Sequence, residues 1–133
     1  MTAPTSVPTY KANPKHRNWS AGQSQWTIPL AAETACFDHA WTSGWCPSGK
    51  GWGLHLVGDT AEYLGVVEDH LTTVFVAKFV SDPGHATWHG YPADHQRKPQ
   101  DIPIAEVCRL WLEGRVIRPA TIRKLGKGQR CRL

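Results

Sequence analysis

Three histidines in a short stretch are the residues whose type and spacing most directly suggest chemistry. His85 and His89 are four residues apart, and His95 follows them closely. Imidazole titrates near neutral pH and binds zinc, so such a group would suit acid–base catalysis or a metal site. Residues 81–100 also contain several prolines and glycines, which argue against a helix that would place the first two histidines on one face. An irregular loop is therefore predicted here, and only the tertiary fold would bring the histidines together.

A second chemical feature is the basic C-terminal end of the chain. Residues 115–133 contain seven lysine or arginine side chains and no acidic one. They are Arg115, Arg118, Arg123, Lys124, Lys127, Arg130 and Arg132. Residues 1–22 contain three basic side chains and no acidic one, and all eleven acidic side chains lie between these two ends. Such segments favour a polyanionic partner, because phosphate contacts release counterions. An acidic protein would be attracted by the same charges.

Two helices are predicted to present these basic side chains. The pattern predicts a helix over 103–113, with Pro103 in its first turn and Gly114 as a stop, and a shorter helix from Arg118 to about Leu125. The pair resembles a helix-turn-helix, whose second helix enters the major groove of DNA. An ordinary helical hairpin with a solvated basic face is the alternative. The predicted nucleic-acid contacts are Arg118, Thr121, Arg123, Lys124, Lys127 and Arg130.

The strongest strand pattern, Leu71–Val80, is expected to occupy the centre of a sheet. Phe75, Ala77 and Phe79 share one face, and the other face is also largely apolar. Side chains alternate across a strand, so apolar residues on both faces indicate an interior strand with cover on each side. The β-branched and aromatic residues of this stretch agree with that interpretation.

The remaining elements complete an α+β prediction. Strands at Trp52–Val57 and Tyr63–Val67 precede the central strand with short links, which predicts a small antiparallel β-meander. An edge strand at Gln25–Leu30 and a short helix at Ala31–Trp41 come before them. The amphipathic helix over 103–113 is expected to cover the meander through an apolar stripe. The stripe consists of Ile104, Val107, Cys108, Trp111 and Leu112.

A single domain is expected from the length of 133 residues. Residues 1–22 are poor in aliphatic side chains and are predicted to form a flexible basic arm. Residues 23–133 are predicted to form one α+β domain with a basic C-terminal extension from residue 115. No segment has the apolar length of a signal peptide or a membrane span, so a cytoplasmic protein without membrane association is predicted. The four cysteines are expected to be free thiols, and no cofactor is expected.

The favoured function is that of a small binding or regulatory protein whose basic C-terminal helical region binds nucleic acid. In that hypothesis Thr121 would read a base edge. One alternative is a hydrolase or nuclease-type enzyme with His89 as the base and His85 or His95 as the second catalytic or metal-binding group. Another is an interaction module, of an inhibitor or immunity-like kind, that binds an acidic protein. The absence of a complete catalytic signature in the sequence favours binding over catalysis.

Overall fold

Short β-strands and three helices form the regular structure of the protein. The computed structural model describes residues 7–84 and 86–133. The strands are β1 (Thr9–Tyr10), β2 (Gln25–Trp26), β3 (Lys50–Val57), β4 (Thr60–Glu62), β5 (Gly65–Val66), β6 (Thr73–Val74), β7 (Val76–Ser81) and β8 (Thr87–Pro92). The helices are α1 (Leu30–Thr42), α2 (Ala105–Gly114) and α3 (Pro119–Gly126). The predicted α+β class is confirmed, and none of the helices in these ranges has the length and apolar character needed to cross a membrane.

The strands form two sheets in which most neighbours are antiparallel. The larger sheet has the strand order β1-β8-β7-β3-β4, and the smaller has the order β2-β5-β6. β1 lies parallel to β8. β3 pairs directly with β7, with Trp52 opposite Lys78, so the three predicted strands do not pair in chain order. Both β3 and β7 are buried or half-buried over most of their length and take interior positions in the larger sheet, while β5 and β6 pair with each other.

β7 lies at the centre of the larger sheet, between β8 and β3, as its apolar pattern predicts. Ala77 and Phe79 on one face and Val76 on the other are all buried. Phe75, which the sequence places in the same strand, is buried between β6 and β7, where the chain passes from the smaller sheet to the larger one. The predicted strand is therefore real, but it is divided between two sheets.

A polar network around Asp101 is buried against the face of the larger sheet. The hydroxyl of Tyr91 donates a 2.8 Å hydrogen bond to Oδ1 of Asp101, and the indole nitrogen of Trp52 donates to its carbonyl oxygen at 3.0 Å. Lys78 is only 2% exposed, and its ammonium donates to the carbonyl oxygen of Gln100 and lies 4.4 Å from the Trp52 ring centroid. Burial lowers the pKa of Lys78, and the nearby carboxylate of Asp101 opposes this effect. The network fixes the chain before α2 onto the sheet.

β8 corrects the prediction of an irregular loop over residues 81–100. It pairs with β7 on one side and with β1 on the other. Gly90 is required there because a Cβ atom at this position would lie 2.3 Å from Cδ1 of the buried Phe79 ring. Pro92 is the last residue of the strand, where a missing amide is tolerated. The glycine and proline that suggested a loop thus serve a strand that packs closely on an aromatic ring.

The helix packed most closely on the larger sheet is α1. The ring centroid of Phe37 lies 5.3 Å from that of Phe79 and 5.6 Å from that of Trp88. Gly53 on β3 leaves room for the Phe79 ring on this face, since a Cβ atom there would lie 2.6 Å from Cε2 of Phe79. The covering helix was predicted to be the one at 103–113, and α1 takes that position instead.

α2 lies beside α3 and contributes fewer core residues than its pattern predicts. It starts at Ala105, after a 3₁₀ turn, and Val107 and Trp111 are buried. Ile104 and Leu112 of the predicted apolar stripe are instead 40% and 47% exposed. A helix that packs along a narrow stripe buries two apolar positions in every two turns. The apolar positions beside the stripe stay in solvent.

Residues 7–22, which the sequence predicts to belong to a flexible basic arm, pack onto the domain in the structure. Tyr10 of β1 contacts the aromatic core, and its hydroxyl donates to Oε2 of Glu33. Arg17 donates from Nε to Oε1 of Glu33 at 2.7 Å, and this carboxylate is fully buried. An aromatic ring, a buried ion pair and the pairing of β1 with β8 thus anchor a segment that is poor in aliphatic residues. Residues 1–6 lie outside the described part of the chain.

The four cysteines are free thiols, as predicted. Cys36 is a buried residue of α1, and burial raises the pKa of its thiol to about 12. Burial likewise raises the pKa of Cys46 to about 12. Thiols with raised pKa values are poor nucleophiles at neutral pH, so neither residue is suited to covalent catalysis.

Candidate nucleic-acid interface

α3 turns one face to the core and the other to solvent. Ile122 and Leu125 are buried, whereas Arg123 and Lys124 are exposed. Pro119 occupies the first turn, where its missing amide costs little. The short basic helix predicted from the sequence is confirmed. Its position determines where several basic side chains lie on the protein surface.

The last five residues, 129–133, have no regular secondary structure but are held in place by hydrogen bonds. Their backbone accepts a 3.1 Å bond from Oγ1 of Thr121 and a 2.9 Å bond from Nε2 of His95. It also donates a 3.3 Å bond to the hydroxyl of Tyr63. We call these five residues the C-terminal tail. The tail therefore lies against α3 on one side and near the smaller sheet on the other.

All seven basic side chains of residues 115–133 are exposed. None of them takes part in an ion pair within residues 7–84 and 86–133. The carboxylates that form ion pairs do so with Arg17, Arg97, Lys98 and Arg109. The charge separation seen in the sequence thus remains in the folded protein at its C-terminal end. At the N-terminal end the charge separation is reduced, because Arg17 forms an ion pair with Glu33.

Four of the seven basic residues surround one groove beside α3. Arg118, Lys124, Arg130 and Arg132 line it, and its volume is about 510 Å³. The residues that line this groove include no carboxylate. Like charges gathered around a concave surface focus a positive potential there and raise the local concentration of anions.

Two further grooves adjoin this one and share its basic residues. One, of about 530 Å³, shares Arg118 and adds Arg115, together with a single acidic residue, Asp59. The other, of about 450 Å³, shares Arg130 and Arg132. We call the three grooves together the basic channel. Its basic residues are Arg115, Arg118, Lys124, Arg130 and Arg132.

The structure brings four of the six predicted contact residues to the basic channel. They are Arg118, Thr121, Lys124 and Arg130. Arg123 and Lys127 are exposed on or next to α3 but line none of the three grooves. The predicted set therefore divides into residues inside the channel and residues outside it.

Thr121 is buried at the base of the channel, a position that does not suit the predicted reading of a base edge. The helical period places position 121 on the inner face beside Ile122, and its hydroxyl bonds to the tail instead. Sequence reasoning also omitted Arg115 and Arg132 from the contact set. The charge count had included both, but only the folded tail shows that Arg132 lies across the groove from α3.

The histidines of residues 81–100 do not form a metal site in the part of the chain that the structure describes. His85 lies outside the described residues. His89 is in β8, and burial lowers its pKa, with the charge of Lys15 acting in the same direction. His95 is buried and bonded to the backbone of the tail. No group of three or more His, Cys, Asp or Glu side chains able to hold a metal ion is found among the described residues.

One cysteine–histidine contact lies in the basic channel. Sγ of Cys131 is 3.7 Å from Nε2 of His95, but that nitrogen is also 2.9 Å from the carbonyl oxygen of Gln129. A carbonyl only accepts, so Nε2 carries its proton toward Gln129 and cannot accept one from the thiol. Burial raises the pKa of Cys131, although the charge of Lys124 opposes this. The pair therefore lacks the lowered thiol pKa that nucleophilic catalysis requires.

The fold and the site define an α+β protein with a basic channel around its C-terminal tail. Comparison with family models, with curated proteins and with solved structures finds no match for this chain. Its function is therefore argued from the geometry and charge of the basic channel alone.

Proposed function

We propose that this protein binds nucleic acid through the basic channel and the neighbouring exposed side chains of α3. One observation carries the proposal: seven exposed basic side chains lie within residues 115–133, and none is paired with a carboxylate of the described chain. Unpaired cations of this kind displace the counterions condensed on a phosphate backbone, and the released ions drive binding. Cations already neutralised within the protein would contribute little.

The arrangement of the charges favours a linear polyanion over an acidic protein surface. The basic residues line three neighbouring grooves that have members in common: Arg118 borders two of them, and Arg130 and Arg132 border two. A phosphate backbone carries one charge at every step along its length and can satisfy such a series. An acidic protein surface is broad and convex, and it would reach the rims of the grooves more readily than their walls.

The proposal is tested by titrating a fluorescently labelled oligonucleotide with the protein and following anisotropy at several salt concentrations. We expect affinity to fall steeply between about 50 and 200 mM salt. Replacing Arg118, Lys124 or Arg130 by Ala should weaken binding and reduce the slope of log affinity against log salt by about one for each residue.

Arg109→Ala is the matched control. Arg109 is exposed on α2, carries the same charge, and is already paired with Glu113 at 2.9 Å. Its loss should leave affinity nearly unchanged. Absence of binding to any DNA or RNA at low salt, or binding that does not depend on salt, would overturn the proposal. Binding to polyglutamate but not to oligonucleotides would assign the surface to an acidic protein instead.

A further inference from the structure

We infer that the bound nucleic acid is a single strand that follows the basic channel, and that Tyr63 provides a stacking surface for one of its bases. The inference rests on the proposed function and adds the class of nucleic acid and a residue outside the basic set. It is carried by the shape of the channel, by the position of Tyr63, and by the composition of the groove that contains it.

The shape of the channel favours a single strand over a duplex. Arg118, Lys124, Arg130 and Arg132 line a concave surface, while Arg123 and Lys127 lie outside it. A duplex is a wide and stiff rod that is read mainly by elements protruding into its grooves, such as a helix in the major groove. A single strand is narrow and flexible enough to enter a groove and follow it.

α3 is poorly suited to reading a duplex in its major groove. The helix has eight residues, and Thr121, the polar side chain proposed to read a base edge, is turned inward. The outward face presents Arg123 and Lys124, which contact phosphate without reporting sequence. Duplex recognition through this helix therefore lacks a base-reading side chain at position 121.

Tyr63 lines the groove of about 450 Å³, which we call the outer groove, and it is partly exposed there. It is 38% exposed and lines the same groove as Arg130 and Arg132. Its ring makes an edge contact with Phe75 at a centroid distance of 6.2 Å, and its hydroxyl accepts the bond from the tail. An aromatic ring that is fixed in this way needs little ordering when a base stacks on it.

The walls of this outer groove also match a chain that alternates bases with phosphates. Tyr63 and Leu71, which is 83% exposed, supply aromatic and apolar surface. Arg130 and Arg132 supply two positive charges at alternate positions of the tail. A phosphate polymer without bases would use only the arginines, whereas single-stranded DNA or RNA would use both kinds of contact.

The stacking role is tested with three probes at one salt concentration: a labelled single-stranded oligonucleotide, its duplex, and an abasic strand of equal length. We expect the single strand to bind about tenfold more tightly than the duplex, and Tyr63→Leu to weaken single-strand binding by about tenfold. Tyr63→Phe keeps the ring and loses only the bond from the tail, so it should bind the single strand clearly more tightly than Tyr63→Leu. Both variants lack that bond, so they should bind the abasic strand equally.

Two neighbours on α3 give a second test that leaves Tyr63 and its packing untouched. Lys124 lines the channel and Arg123 does not, yet both are exposed and carry one charge. Lys124→Ala should weaken single-strand binding several-fold more than Arg123→Ala. Equal losses in the two variants, or a duplex bound as tightly as the single strand, would overturn this inference while the nucleic-acid proposal stands. If no probe binds at low salt, the proposed function fails as well.

Discussion

Thr121 and Arg132 are joined by a hydrogen bond that runs from the hydroxyl of Thr121 to the carbonyl oxygen of Arg132 over 3.1 Å. The bond links the buried face of α3 to the C-terminal tail, and Arg132 lines two grooves of the basic channel. A buried hydroxyl thus helps to hold the residue that carries an exposed charge.

Removing this hydroxyl should weaken binding as well as stability. Thr121→Val keeps the shape of the side chain and deletes the bond, so we expect the free energy of unfolding to fall by about 1 kcal/mol. Affinity for the labelled single strand should fall by about threefold, since the tail is less firmly held. Thr121→Ser, which retains the hydroxyl, should keep the natural affinity. A Val variant that is less stable but binds as tightly as the natural protein would show that tail placement does not matter.

Arg115 should lower the stability of the folded protein and strengthen its binding to the oligonucleotide. It has φ = 54°, in the left-handed region, where it ends α2. Arg115→Gly relieves this conformation and should raise the free energy of unfolding by up to about 1 kcal/mol, while the lost charge lowers affinity for the oligonucleotide. Arg115→Ala loses the charge but keeps the strain, so only affinity should change. Denaturant unfolding and anisotropy measure the two effects separately, and unchanged affinity in both variants would remove Arg115 from the site.

The ion pair between Arg17 and Glu33 should make a large contribution to stability. Arg17→Ala leaves the fully buried Glu33 carboxylate without its cation, and we expect the free energy of unfolding to fall by about 3 kcal/mol. Lys15→Ala removes an exposed charge two residues away and should change the free energy of unfolding by less than about 0.5 kcal/mol. Limited proteolysis should then cut residues 7–22 faster in the Arg17 variant. Equal stability of the two variants would restore the prediction of a flexible arm.

Stability should decrease on acidification because of His16. Its ring is buried, stacks on Tyr91 at 5.3 Å, and donates from Nδ1 to the carbonyl oxygen of Ser24 at 2.8 Å. Burial lowers the pKa of His16, the bond to Ser24 opposes this, and the nearby charges of Lys15, His89 and Lys98 add to the lowering.

The sign of the pH effect follows from proton binding. The unfolded chain binds a proton at the ordinary histidine pKa of about 6.5, above that of the folded protein, so stability falls as pH drops through and below that value. Denaturant unfolding at about pH 7, 6 and 5 should show the free energy of unfolding falling with pH. The fall should be smaller in His16→Gln. His89, whose pKa burial also lowers, should account for part of the remainder. An identical pH profile in the natural protein and in His16→Gln would contradict the assignment.

The elements that the sequence predicted well are those whose pattern is local. Ile122 and Leu125 on α3, and the alternating residues of β7, are separated by a few positions, so their periodicity shows in a short window. The elements that were missed depend on distant partners. β8 needs Gly90 because the Phe79 ring lies against it, and β1 is a strand only because β8 lies beside it. Neither requirement is visible within the segment itself.

The candidate site divides in the same way. The sequence by itself determined that seven basic side chains without an acidic neighbour end the chain, since charge belongs to the residue. Only the tertiary structure decided that Lys124 and Arg132 share a groove, that Arg123 stays outside it, and that Thr121 points inward. A groove needs walls from segments that meet only after folding, so its members cannot be read from their order in the chain.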